Sequence, residues 1–181
     1  MKKFLLIALI WSSSPCLFGA EKVQCQTGAY SKDSDPAGTN IRESPNGKIL
    51  TAIPSDTVFS IIGYKDGWFE VTDFEYYVHD SPDIAFAKRM KHKISGEKAT
   101  IPGLKGWIHR KHVDVHFGIS SPIRVRKVPD EESILSFLLR YPNPEGPDEI
   151  LECSGRYLKI KVKHRTGWID QFCTNTLSNC V

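Results

Sequence analysis

One tripeptide occurs twice, and each time it closes the same kind of run. Gly106-Trp107-Ile108 ends a first series of short apolar stretches, and Gly167-Trp168-Ile169 ends a second. In the first series, Thr39 and Ile41 are strand formers and Ser44-Pro45-Asn46-Gly47 is a turn. Ile49 and Leu50 resume the apolar pattern, and Ile53-Pro54-Ser55-Asp56 turns again before Val58 to Ile62. Lys65-Asp66-Gly67 is a hairpin signal of the Asp-Gly kind, followed by the strand Trp68 to Val71. The second series is weaker. Ile123-Arg124 is aligned with Ile41-Arg42, Leu135 to Leu139 supplies the next apolar run, and Ile150 to Ile160 mirrors Val58 to Val71. Short strands between Gly and Pro turns point to an all-β chain built as small barrels or sandwiches. Each Gly permits a close backbone approach, and each Trp covers one end of a small core.

Two stretches interrupt the repeat. Thr72 to Thr100 is a long insertion in the first copy, within which Ile84 to Lys91 reads as a short helix. Pro129 to Arg140 opens like a helix, with Pro129-Asp130-Glu131-Glu132 ahead of apolar residues at helical spacing, but the repeat places a strand there.

The first residues read as an address rather than as fold. Met1-Lys2-Lys3, the apolar run Phe4 to Trp11 and the polar exit at Ser12 to Pro15 form a signal-peptide layout over residues 1–20, with Glu21 as the mature start. The run is shorter than the roughly 20 apolar residues of a membrane span. No transmembrane segment is expected in the mature chain, which is placed in the periplasm or medium. Lipid anchoring at Cys16 is disfavoured, because Ser14-Pro15 is a poor lipobox. Of 24 basic residues against 21 acidic ones, the leader holds Lys2 and Lys3, so the mature charge is near neutral. That balance argues against nucleic acid as a partner, and the basic run Lys88 to Lys93 reads as a solvated loop.

Four cysteines remain after the leader: Cys25, Cys153, Cys173 and Cys180. An even number in an exported chain implies disulfides, with three connectivities open. The closeness of Cys173 to Cys180 favours a small terminal loop, which leaves Cys25 to pair with Cys153.

Catalytic signatures are sparse. His109, His112 and His116 are the only local histidine cluster. On a strand, His112 and His116 lie about 13 Å apart, too far for one zinc ion, and they read as surface residues. The carboxylate pairs Glu131-Glu132, Asp148-Glu149 and Asp33 with Asp35 read as solvated turns, and Arg42 as cover for apolar surface. No phosphate loop, dinucleotide, nucleophile-elbow or zinc-protease motif occurs, so neither cofactor nor metal is expected. The better site residues are aromatic. Tyr64 and Trp68 flank the Asp66-Gly67 turn, and Tyr76 and Tyr77 lie in the insertion. Together with Asp66 they are expected to line a shallow groove for a peptide or glycan, against the alternative that they pack the core.

These residues also carry a resemblance. Asp35-Pro36-Ala37-Gly38-Thr39-Asn40-Ile41-Arg42, then Ser44-Pro45-Asn46-Gly47, and the closing Lys105-Gly106-Trp107-Ile108-His109 resemble the bacterial SH3-type (SH3b) domains. The likeness covers residues 23–118, and a divergent second copy covers 119–181, where Asp170 stands in place of the His and no Asn precedes Ile-Arg. The resemblance implies two small SH3-like β-barrels, the first with a long insertion. It assigns His109 a structural hydrogen bond. It also implies a non-catalytic exported module whose ligand is a peptide, a peptidoglycan fragment or an envelope protein. The alternatives are a cell-wall hydrolase or peptidase, and a structural or inhibitory interaction partner.

Overall fold

The computed structural model describes residues 21–79, 81–117, 122–140 and 146–174. The leader with Cys16, and Cys180 with its expected bond to Cys173, lie outside the described residues.

The first sheet contains β1 (Val23–Ser31), β2 (Thr39–Arg42), β3 (Ile49–Ile53), β4 (Val58–Lys65), β5 (Trp68–Tyr77), β8 (Lys105–His109) and β9 (Val113–Asp114). Its order is β3-β2-β8-β5-β4-β1-β9. The insertion adds helix α1 (Ser81–Met90) and the hairpin β6 (Lys93–Ser95) and β7 (Lys98–Thr100), with β7 paired to the far end of β5. The second sheet contains β10 (Ile123–Arg126), β11 (Leu135–Leu139), β12 (Glu149–Ser154), β13 (Tyr157–Val162) and β14 (Arg165–Ile169), in the order β11-β10-β14-β13-β12. The fold is thus β-rich with two sheets. Among the described residues, the hydrogen-bonded path of each sheet is open at both ends.

The second order repeats the β3-β2-β8-β5-β4 part of the first, strand for strand. The correspondence extends to details. Arg42 pairs with Trp107 beside a bulge at Ile41/Arg42, and Arg126 pairs with Trp168 beside a bulge at Val125/Arg126. The Arg42 guanidinium donates to the Gly47 carbonyl, and that of Arg126 to the Glu131 carbonyl, each five residues on. The equivalent of Ile41-Arg42 is therefore Val125-Arg126, which corrects the alignment on Ile123-Arg124 by two residues. A two-residue slip leaves every side chain on the same face, so apolar alternation does not detect it. The contact of each Gly with the facing strand does: Gly106 abuts Ile41 and Arg42, and Gly167 abuts Val125 and Arg126.

The strand expected at Leu135 to Leu139 is present as β11. The helix expected at Ile84 to Lys91 is also present, starting three residues earlier. Pro82 suits a first helical turn, where its missing N–H costs nothing, and Asp83 accepts from the His79 N–H at 3.3 Å. The chain leaves the helix through Lys91 at φ 60°, and the His92 N–H returns to the Ala87 carbonyl at 2.9 Å.

The two sheets bury one continuous apolar cluster. Phe59, Ile61, Phe69, Val71 and Ile108 of the first sheet share it with Val125, Ile150, Leu158, Ile160 and Ile169 of the second. The Cys25–Cys153 disulfide lies within this cluster. Beside it, the Gln26 N–H donates to the Gly155 carbonyl at 2.7 Å and the Gly155 N–H to the Gln24 carbonyl at 3.0 Å. The first strand is thereby stitched to the β12–β13 turn. No helix among the described residues is long and apolar enough to cross a membrane.

Candidate functional site

Two adjoining depressions open on the first sheet, the larger of them where the insertion meets it. The larger, about 750 Å³, runs between the β1–β2 loop, the β3–β4 turn, β5 and the start of α1. The smaller, about 400 Å³, lies against Trp68, His109 and His112. Asp33 and Asp35 line both, so one wall joins them.

The five predicted site residues divide. Tyr77 lines the larger cleft and keeps 38 % of its surface exposed. Its ring stacks on His79 with centroids 5.5 Å apart, and the Lys98 ammonium sits over it at 5.2 Å. Tyr76 borders the same cleft but is buried, as expected for the neighbour facing the opposite side of β5. Trp68 is also buried and meets His109 edge-on at 5.0 Å, leaving only its rim to the smaller depression. Tyr64 and Asp66 line neither depression. Tyr64 packs on Phe69, and its hydroxyl accepts the Gly67 N–H at 3.1 Å. Asp66 and Gly67 both have positive φ, 49° and 83°, the geometry of a two-residue type I′ hairpin turn. Both residues shape the turn, and the single groove expected around all five is replaced by two depressions holding three of them.

The insertion wall is held from beneath by His92. This residue is buried, with Nδ1 2.8 Å from the Tyr76 hydroxyl and Nε2 3.1 Å from that of Thr51. One consistent proton arrangement has Tyr76 donating to Nδ1, and Nε2–H donating to Thr51, which turns its own hydroxyl toward the Ala52 carbonyl. Phe86 of α1 lies edge-on to His92, lines the larger cleft and reaches the face of Gly38. A β-carbon on Gly38 would lie 2.9 Å from the Phe86 ring, so this glycine admits the helix.

Burial lowers the His92 pKa below its ordinary 6.5 and raises that of Tyr76 to about 12, with the Asp83 charge adding to the latter. Below pH 6.5 the unfolded imidazole takes a proton that the folded one resists. Stability therefore falls as pH drops from 6.5 toward the folded pKa, and the loss persists below it. His109 and His112 are lowered in the same direction, chiefly by burial. A plot of melting temperature against pH between 7.5 and 5 is expected to slope less in His92→Gln than in the parent. Parallel curves would exclude His92 as a contributor.

The three clustered histidines take separate tasks. The His109 Nδ1 accepts the Lys111 N–H at 3.3 Å and caps a 3-10 turn, which is a structural role. His112 pairs with Asp33 at 3.0 Å, and His116 stacks on Tyr30 at 4.8 Å. Among the described residues, no group of three His, Cys, Asp or Glu side chains is placed to hold a metal ion. In the second copy, Asp170 replaces His109 and accepts from Arg156 at 3.2 Å, so the site is not duplicated.

Sequence reasoning read Asp33 with Asp35 as a solvated turn and did not single out Asp56, Glu75 or Asp83, the other carboxylates lining the larger cleft. The five come from four segments of chain, and no local spacing joins those segments. Comparison with known proteins finds no matching family model, no matching curated protein and no matching solved structure.

Proposed function

We propose that the protein is a non-catalytic, exported binding module with two SH3-like units, and that the larger cleft of the first unit receives a segment of peptide. The peptide belongs to a cell-wall fragment or to an envelope protein. The observation that carries this reading is the cleft itself. A volume of about 750 Å³ falls within the range of ordinary ligand sites. The cleft is lined by Tyr77, Phe86 and the rigid Pro36, Pro54 and Pro82, with polar groups along its rim. An aromatic face fixed by stacking offers contact area at little entropic cost. The adjoining smaller depression extends the surface toward Trp68, which suits an extended chain better than a compact small molecule.

The test is a titration of the full chain, followed by amide and aromatic resonances, with wall stem peptides, wall glycan fragments and short peptides. Shifts are expected at Tyr77, His79 and Phe86 with peptides. Tyr77→Ala, a change at an exposed ring, is expected to weaken binding about tenfold, the loss of one modest hot spot. Glycans binding where peptides do not would reject a peptide ligand, and shifts confined to other surfaces would remove the cleft from the account.

A further inference from the structure

We infer that β11, the outer strand of the second sheet, pairs antiparallel with β11 of another molecule of this chain across a two-fold axis. Among the described residues β11 pairs with β10 alone, so its other edge presents backbone N–H and C=O groups outside the ladder. Exposed apolar surface gathers at the same place. Of the eight large hydrophobic residues exposed among the described residues, four are Val128, Ile134, Leu135 and Leu138 of the β10–β11 hairpin, a density no other segment matches. Ser133 to Leu139 hold neither a charge nor a proline, the usual guards of an open edge.

The internal repeat shows what this edge lacks. β3 is the counterpart of β11, with Ala52 opposite Asn40 as Leu138 is opposite Arg124. In the first repeat Thr51, Ala52 and Ile53 are all buried, and His92 of the insertion lies 3.1 Å from the Thr51 hydroxyl. In the second repeat the tight turn Val162 to Arg165 stands where the insertion stands in the first. Arg165 of that turn lies over the Phe137 ring at 3.8 Å, yet Ile134 remains 72 % exposed and Leu138 40 % exposed. The backbone groups of such an edge are matched by another strand, and the apolar side chains by another apolar strand.

Charge selects a second copy as that strand. Asp130 and Glu132 precede the apolar run, and Arg140 follows it. Glu131 is taken by Arg156, whereas Glu132 and Arg140 have no ion-pair partner among the described residues. Antiparallel pairing lays the acidic end of each strand beside Arg140 of the partner subunit, and the two-fold axis makes that contact twice. Parallel pairing would set like charges side by side. The two-fold pair also closes, because each edge is used once, whereas β11 set against β3 of the next molecule would propagate.

The experiment is sedimentation equilibrium of the full chain. Five residues a side make a small contact, so a monomer–dimer equilibrium with a dissociation constant on the order of 10 µM is expected. Leu138→Lys should weaken the dimer at least about tenfold and leave the melting temperature of dilute protein unchanged. Glu132→Arg and Arg140→Glu should each weaken it, and the two together should restore it. That rescue reads pairing geometry rather than fold, so it decides the question even if Leu138→Lys misfolds. A chain still monomeric at about 1 mM would lack a specific edge contact and overturn the inference. A dimer indifferent to the edge variants would belong to another face and overturn it equally. Loss without rescue would reject antiparallel pairing, and growth beyond the dimer would reject the two-fold axis.

Discussion

Replacing Cys25 and Cys153 together by alanine is expected to be the most damaging small change to this fold. The bridge joins residues 128 apart in sequence and connects the first strand of one sheet to a hairpin of the other. Closing a loop of that size removes unfolded-state entropy worth about 5 kcal/mol, and measured losses on removing native disulfides run about 2–5 kcal/mol. Both sulfurs are buried in the shared cluster, so alanine also leaves unfilled volume. Urea unfolding of the double variant against the parent, in the absence of reductant, should show a stability loss in that range. A change under about 1 kcal/mol would show that the shared apolar cluster alone holds the two sheets together.

Gly106→Ala and Gly167→Ala should each cost about 2–3 kcal/mol, near the upper part of the range for overpacking a filled core. A β-carbon at Gly106 would lie 2.5 Å from the Ile41 Cγ2 and 2.9 Å from the Arg42 carbonyl oxygen. At Gly167 the distances are 2.4 Å to the Val125 Cγ1 and 2.8 Å to the Arg126 oxygen. Each obstacle includes a backbone oxygen, so side-chain rearrangement alone does not relieve it. Neither glycine needs a left-handed conformation, and the cost is one of space. Gly155 is the contrast, with φ 54° and open space within 4 Å of the point a β-carbon would occupy. Its counterpart in the first copy is Asp66, a non-glycine residue at φ 49°. Arg156 lacks the positive φ of Gly67, so this turn is of the II′ kind, which favours glycine at its first position, and Gly155→Asn should cost about 1–2 kcal/mol through backbone strain rather than crowding. Thermal unfolding of the three variants gives the order directly. Losses under about 1 kcal/mol at both Gly106 and Gly167 would mean that the Gly-Trp steps are not close contacts.

The repeat was legible because both copies must solve the same packing problem. A strand that crosses β2 or β10 at close range requires Gly, and the neighbouring Trp has a fixed place beside the paired Arg. The register within the second copy was not legible, since a shift of two residues preserves the face of every side chain. The site was legible only in part. Tyr76 and Tyr77 are adjacent in sequence and indistinguishable there, yet the strand buries one and leaves the other exposed at the cleft that both border. Tyr64 and Trp68 flank a strong turn signal, and it is the turn that employs Tyr64. His92 carried no signal, because its partners Thr51 and Tyr76 are distant in sequence.

By itself the sequence determined the local preferences: short strands, the type I′ turn at Asp66-Gly67, the helix after Pro82, and the internal repeat. These depend on φ/ψ freedom, β-branching and the spacing of apolar residues, which act over a few residues. It also reached the Cys25–Cys153 pairing, through the arithmetic of four cysteines. Only the tertiary structure decided that the two sheets share one core, and that carboxylates from four separate segments face one cleft. Electrostatic and packing neighbours of that kind are set by distance through space. That distance becomes defined only after the chain has closed its long loops.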